Sequence, residues 1–322
     1  MERKILILEA EHPPDLQVYQ AAMAEALPPG RVALHLAASE EAALHACADC
    51  TALVAKAHAV SRRLILAMPQ LDWIQALTTG TDHLEKIGVP PDICITSMRG
   101  IHGPQMSELA MMLMLALARG LPRMLESQAA SRWERRPQPI LQGKTVLVVG
   151  IGAISEALAM RCIAFGMRVI GASGRAGAVE GFAEILPYER LGEAAAQADF
   201  MVVVTPYTAA THHIVNEAVI ARMKPTAFLI NIARGNVVDE AALLSALSAG
   251  RIAGAGLDVF SSEPLPADNP FWSMPNVIVT PHIGGMSDSY AHQAAATLAA
   301  NVAAYCAEGV PALNVVRKGL LF

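Results

Sequence analysis

The stretch Thr145-Val-Leu-Val-Val-Gly150-Ile-Gly152-Ala153-Ile154-Ser155 decides the fold. Strand-forming residues run into two glycines one residue apart, and a helical sequence, Glu156 to Ala164, follows at once. In that setting the first glycine permits a tight turn. The second lets the main chain approach a pyrophosphate resting on the N–H groups of the helix start. Ser155 stands where a third glycine would allow close helix–strand packing; it is small enough to pack but departs from the pattern. Gly150, Gly152, Ala153 and Ile154 are therefore candidate dinucleotide contacts. About 20 residues further on, an NAD site places an Asp or Glu against the ribose 2′-hydroxyl. Here the next strand runs into Ser173-Gly174-Arg175 instead. Without the carboxylate a 2′-phosphate meets no repulsion, and a guanidinium can grip it. Ser173 and Arg175 thus predict NADP(H) ahead of NAD(H), with a solvated loop arginine as the plainer reading of Arg175.

Working outward, short apolar runs alternate with helical segments almost throughout, the pattern of an α/β protein with parallel sheets. A first series is Ile5–Leu8, Val32–Leu36, Ala52–Ala55, Trp73–Leu77 and Ile93–Thr96. A second is Thr145–Gly150, Val169–Ala172, Phe200–Thr205, Ala227–Ile232, Gly254–Asp258 and Val277–Thr280. Between them lies a helical stretch from Gln105 to about Ser131, in which Pro122 suits the start of a second helix better than the interior of one. A last helix, Tyr290 to Ala307, follows the second series without a new strand–helix–strand unit and is expected to cross back to the first.

Length and composition agree. The chain has 322 residues, 53% of them hydrophobic and 16% charged, with 24 basic against 29 acidic side chains. That excludes disorder and suits two domains. The net charge of −5 offers no basic surface for nucleic acid. No apolar run reaches the roughly 20 residues of a membrane-spanning helix, and Ile5–Leu8 is too short for a signal segment, so a cytoplasmic protein is expected. Five scattered cysteines do not form a disulfide framework. The Cys47-x-x-Cys50 pair reads as two small helix residues, and no metal is expected.

Three segments of the second series place a polar group at a strand end, where α/β sheets bind their ligands. They are Asn231-Ile-Ala233-Arg234-Gly235, Asp258-Val-Phe-Ser-Ser-Glu263-Pro264 and Thr280-Pro-His282-Ile-Gly284-Gly285. With Thr79-Gly80-Thr81-Asp82-His83, Ser107-Glu108 and Thr205-Pro206-Tyr-Thr208-Ala-Ala-Thr211, they resemble the D-isomer-specific 2-hydroxyacid dehydrogenases, of the glyoxylate/hydroxypyruvate reductase kind, from about Leu53 to Asn314. The departures are Ser155 and Ser173, neither among the reacting groups.

Reducing a 2-keto acid requires a cation for the carboxylate, a proton donor at the carbonyl oxygen and a hydride source. Arg234 suits the first role and His282 the second, with Glu263 favouring the imidazolium. The resemblance implies that the Thr79, Gly80 and Thr81 backbone binds substrate carboxylate. It implies that Thr205, Pro206, Thr211, Ala233, Asp258 and Gly284 line the cofactor, Asp258 accepting from the carboxamide. It also implies two doubly wound domains: a flavodoxin-like substrate domain, 1–101 with 286–322, and a Rossmann cofactor domain, 102–285, inserted in it. A homodimer is expected through the region around 102–137, including the Met-rich helix Met106 to Met114, which as an internal core helix would have a plainer explanation. Lys56, His58, Met98, Arg99 and Trp133 are candidates to face the substrate, although surface or packing roles explain them more simply; a second cation there would favour a dicarboxylate or phosphorylated acid. Formate oxidation is disfavoured because that branch carries glutamine where Glu263 stands. The alternative class is a nucleotide-sensing, corepressor-like binding protein of the same fold.

Overall fold

Short apolar strands separated by helices build two parallel sheets in the computed structural model, which describes residues 3–27, 30–174 and 177–321. The chain divides into two compact units, residues 1–101 with 287–322 and residues 102–286.

In chain order the first unit holds β1 (Arg3–Leu8), α1 (Asp15–Ala26), β2 (Val32–Ala37), α2 (Glu40–Ala46), β3 (Ala52–Ala55), α3 (Arg62–Leu66), β4 (Trp73–Ala76), α4 (Asp82–Lys86) and β5 (Cys94–Thr96). The second unit opens with α5 (Gly103–Ala118) and α6 (Leu121–Ala129), separated by Gly120 at φ +65°. It continues through β6 (Thr145–Val149), α7 (Ala153–Ala164), β7 (Arg168–Ala172), β8 (Glu184–Leu186), α8 (Leu191–Gln197), β9 (Phe200–Val203), α9 (Glu217–Ile220), β10 (Phe228–Asn231), α10 (Glu240–Ser248), β11 (Gly254–Leu257) and β12 (Val277–Val279). The chain then returns to the first unit as α11 (Tyr290–Glu308) and β13 (Val315–Arg317).

The second unit's sheet has the order β12-β11-β10-β9-β6-β7-β8, parallel throughout. Strand order reverses between β6 and β9, and the crevice outside the strand ends at such a reversal is where these sheets take a ligand. The first unit's sheet has the order β13-β5-β4-β3-β1-β2, in which β1 to β5 are parallel and β13 runs antiparallel to β5. Its reversal lies between β1 and β3, the flavodoxin-like arrangement.

Both faces of each sheet are covered, which explains strands of unbroken apolar residues rather than an in–out alternation. Leu147, Val149, Met201, Val203 and Leu229 enter one core of the second unit, while Val146, Val148, Val202 and Ile230 enter the other with α5 and α7. In the first unit α11 supplies Leu298, Val302 and Tyr305 to the core holding Ile5, Ile7 and Trp73. The Trp73 and Tyr305 rings lie 4.8 Å apart. Each such buried side chain contributes about 1.5–3 kcal/mol.

The Met-rich helix corrects one expectation. Met111 and Met114 on α5 are buried against the sheet and α7, and only Met112 of that helix's methionines is well exposed. Most of Met106–Met114 is therefore core of its own unit. Exposed apolar side chains lie instead at Leu121, Met124, Leu125, Trp133 and Ile140. No helix of the described residues is long and apolar enough to cross a membrane.

Candidate active site

The glycine turn sits at the strand-order reversal of the second unit. Gly150 follows β6 with φ +103°, and a Cβ there would stand 2.7 Å from the Thr205 main chain after β9. Glycine is thus required twice over, by conformation and by the closeness of the neighbouring strand. Ser155 does more than pack: its hydroxyl, buried in the first turn of α7, accepts from the Gly152 N–H at 2.7 Å and donates to the Gly152 carbonyl at 2.8 Å. The loop is closed by its own serine. Gly152 and Ala153 are exposed, so the N–H groups of Ala153 and Ile154 open the helix at a bare stretch of backbone. A side-chain-free approach to an exposed helix start fits a dinucleotide pyrophosphate. At the end of β7, Ser173 is buried and its N–H donates to Leu186 of β8 at 3.0 Å; Arg175 lies outside the described residues.

The three charged candidates are on neighbouring strand ends of the same sheet. His282 faces Glu263, Nδ1 to Oε2 at 2.7 Å, and the other Glu263 oxygen accepts from the Phe260 N–H at 2.8 Å. Burial alone would raise the Glu263 carboxyl. The hydrogen bonds from His282 and Phe260, with the charges of His282 and Arg234, outweigh it and hold the group below the ordinary carboxylate range. With Nδ1 committed to Glu263, Nε2 is the nitrogen left to face a substrate.

Arg234 leaves a turn stapled by Asn231, whose amide donates to the Arg234 carbonyl at 3.1 Å and accepts from the Ala233 N–H at 3.1 Å. A Cβ on Gly235 would lie 1.9 Å from the Phe260 carbonyl carbon. The turn carrying Arg234 is therefore pressed against the loop that carries Glu263. Glu240, at the start of α10, braces that loop by accepting from the Ser261 N–H at 2.5 Å and hydroxyl at 2.6 Å.

A family model described as "D-isomer specific 2-hydroxyacid dehydrogenase, NAD binding domain" matches residues 111–284, more than half of the chain. The chain belongs to this family. The glyoxylate reductase of Thermococcus onnurineus is 35% identical over 300 residues, covering 88% of this chain and 87% of that one. A solved family member from Aeromonas salmonicida superposes with a TM-score of 0.87 at 33% identity, covering 98% of this chain and 99% of that one. The Sinorhizobium meliloti NADPH-dependent glyoxylate/hydroxypyruvate reductase, solved with NADP and sulfate, gives 0.81 at 28% identity and full coverage of both chains.

Within this dehydrogenase framework, the geometry gives several expected cofactor residues work inside the protein. Asp258, buried and expected to meet the carboxamide, accepts from the Thr280 hydroxyl at 2.6 Å and from the N–H groups of Ile283 at 3.0 Å and Gly284 at 2.9 Å. The His282 N–H also donates to the Asp258 carbonyl at 2.8 Å, and His282 itself has φ +54°. Asp258 thus holds the histidine loop in a sparsely populated conformation. Gly284, close under Met106 and Leu109, donates to Asp258 as part of that anchor. The Thr211 hydroxyl donates to the Pro206 carbonyl at 2.7 Å and accepts from the Thr208 N–H at 2.8 Å, closing the loop after β9. Thr205, at its base, pairs with the Tyr188 hydroxyl at 2.9 Å.

Thr79, Gly80 and Thr81 belong to the first unit, after β4. The Thr78 hydroxyl donates to the Gly80 carbonyl at 2.7 Å, the Thr79 hydroxyl to the Met98 carbonyl at 3.2 Å, and the Met98 N–H to the Thr78 carbonyl at 3.0 Å. These bonds hold the loop through hydroxyls and carbonyl oxygens.

Asn231, Thr280 and Glu240 work here without a sequence signal of the bonds they make. Asn231 and Thr280 were visible in the motifs, but their bonds reach across turns and strands. One cluster of metal-binding residue types, His35, Asp49 and Cys50, has ligand atoms within 4.8 Å of one another among the described residues. The Lys4 ammonium pairs with Asp49, and burial pushes the Cys50 thiol up to about 11. As it stands, this is an ion pair beside a protonated thiol.

Proposed function

We propose that this dehydrogenase reduces a small 2-keto acid to the D-2-hydroxy acid, and catalyses the reverse, with NADPH preferred to NADH. The observation that carries the reading is the His282–Glu263 pair held on a loop interlocked, through Gly235, with the turn bearing Arg234. An acid–base histidine after β12 and a guanidinium after β10, with the carboxylate of the β11 loop between them in strand order, are the groups a 2-keto acid needs.

In this reading Arg234 grips the substrate carboxylate and polarises the carbonyl. The Thr79–Thr81 backbone takes further carboxylate contacts. His282 donates its Nε2 proton to the carbonyl oxygen, and Glu263 stabilises the imidazolium before transfer. When bound, a reduced nicotinamide would supply the hydride for the carbonyl carbon, and with the His282 proton this balances the conversion of ketone to alcohol. The exposed start of α7, with Gly150 and Gly152, holds the pyrophosphate. Thr205, Pro206 and Ala233 stand at ends of strands lining the nicotinamide. In this assignment residues 1–101 with 286–322 form the substrate domain and 102–285 the cofactor domain.

NADPH preference rests on the sequence after β7, where no Asp or Glu occurs until Glu180 and Arg175 is the first charged residue. The apolar side chains at Leu121, Met124, Leu125 and Trp133 support a homodimer through 102–137, centred on α6 and the segment after it rather than on α5. A cytoplasmic location is part of this proposal, in keeping with water-soluble keto acids and cofactor.

The test is turnover of a panel of 2-keto acids with each cofactor. Reduction of at least one keto acid, with kcat/KM higher for NADPH and the preference lowered in Arg175→Ala, is expected. Reduction of none would leave the nucleotide-sensing binding protein, and a wild-type preference for NADH would overturn the cofactor assignment.

A further inference from the structure

The first unit has its own strand-order reversal, between β1 and β3, and a chain of charged groups occupies it. Glu9 follows β1 and Lys56 follows β3. The Glu9 side chain is fully buried. One of its oxygens accepts from the N–H groups of Glu11 and His12, each at 3.0 Å, and from the Lys56 ammonium at 3.2 Å. Its other oxygen is buried without a hydrogen-bond partner among the described residues. Lys56 turns its ammonium also to Glu11 at 2.8 Å, and the second Glu11 oxygen meets His58 Nε2 at 2.5 Å. The order in space is Glu9, Lys56, Glu11, His58.

This cluster stands at the end of the strand next to the one that leads into the Thr79–Thr81 loop. β3 and β4 are neighbours in register, Ala55 opposite Ala76, so Lys56 and Leu77 leave the sheet side by side. His83 of α4 lies 3.0 Å from the Val60 carbonyl, tying the segment after Lys56 to the helix that follows Thr81.

We infer that Glu11 is a specificity-determining residue: with Glu9 it retains the Lys56 ammonium as an internal partner and keeps a carboxylate at this edge, so that 2-keto acids with one carboxylate are accepted and those with a second anionic group are disfavoured. The inference rests on the 2-keto acid reading above. Lysine next to a carboxylate-binding loop would by itself invite a second anion. Here two carboxylates surround one ammonium, whose side chain is only 13% exposed. Releasing Lys56 to a ligand would strip the buried Glu9 of its cation, a large penalty for a group already short of one partner. Glu11 is held ionised: burial would raise its carboxyl, but the hydrogen bonds and charges of Lys56 and His58 prevail and lower it. An incoming second carboxylate would meet that charge, and a repulsive group of this kind is how a site rejects a near relative of its substrate.

The experiment compares kcat/KM for glyoxylate and hydroxypyruvate with that for oxaloacetate and 2-ketoglutarate, using NADPH, in the wild type, Glu11→Gln and Lys56→Met. Wild type should favour the monocarboxylates. Glu11→Gln should raise the dicarboxylate-to-glyoxylate ratio about fivefold, through KM rather than kcat, the size of one partly exposed charge interaction. Lys56→Met, which leaves the carboxylates and removes the cation, should lower the same ratio. A wild type that prefers dicarboxylates, or a ratio unmoved in Glu11→Gln, overturns the inference while the keto acid reading stands. Absence of turnover with every keto acid removes that reading, and this specificity role with it.

Discussion

Single residues set the chemistry, and their effects separate cleanly. His282→Ala removes the histidine paired to the Glu263 carboxylate, and kcat for keto-acid reduction should fall by about 10²–10⁴. Cofactor affinity, measured by fluorescence titration, should stay close to wild type, since no dinucleotide contact is lost; unchanged turnover would remove His282 from the mechanism. Glu263 has a lowered carboxyl, so its pairing contributes fully above the ordinary carboxylate value and is lost as pH falls through the lowered one. Glu263→Gln replaces the titrating carboxylate beside His282 Nδ1 with an amide. The loss of activity that follows protonation of Glu263 at low pH should therefore disappear from the profile of reduction, and an unchanged profile would show that the pair does not govern the proton donor. Both residues were legible in the sequence as groups at strand ends, and their pairing is expected from the proton donor's needs. The Phe260 N–H that holds the other Glu263 oxygen carries no such signal.

At the scale of elements, the site depends on how closely loops pass. Gly235→Ala would drive a methyl group into the Phe260 backbone, and should cost at least about 2 kcal/mol, read as a lowered urea midpoint. The same substitution should depress kcat, because the turn of Arg234 and the loop of Glu263 would be forced apart; wild-type stability would mean that the two can part without cost. The longer strands were plain from their apolar runs. β8 and β13 were missed because each is three residues long, at a sheet edge, with a charged residue among the three. Pro122 predicts a second helical segment within Gln105–Ser131, and the break falls at Gly120 just before it. The methionines of α5 had no signature that distinguishes a helix buried in its own unit from one covered by a partner. Ser155 shows the same limit in reverse: the departure from a third glycine was visible, but its two bonds to Gly152 were not.

On the scale of the whole molecule, the units differ in how self-sufficient their segments are. Residues 102–286 contain every strand of their sheet, whereas residues 1–101 lack α11, which fills the core around Trp73, and β13, which covers the edge of β5. A fragment of residues 102–286 should fold and bind cofactor, while 1–101 alone should show rapid amide exchange; a protected 1–101 fragment would show that α11 is dispensable. Among the bonds at stake are Asn301 to Gln75 at 2.8 Å and the Tyr290 hydroxyl to the Leu77 carbonyl at 2.6 Å, the latter two residues before Thr79. The return of α11 therefore imposes a timetable on synthesis. The first hundred residues leave the ribosome early but must wait for nearly two hundred more before their last helix arrives, with apolar strands in need of shelter for that interval.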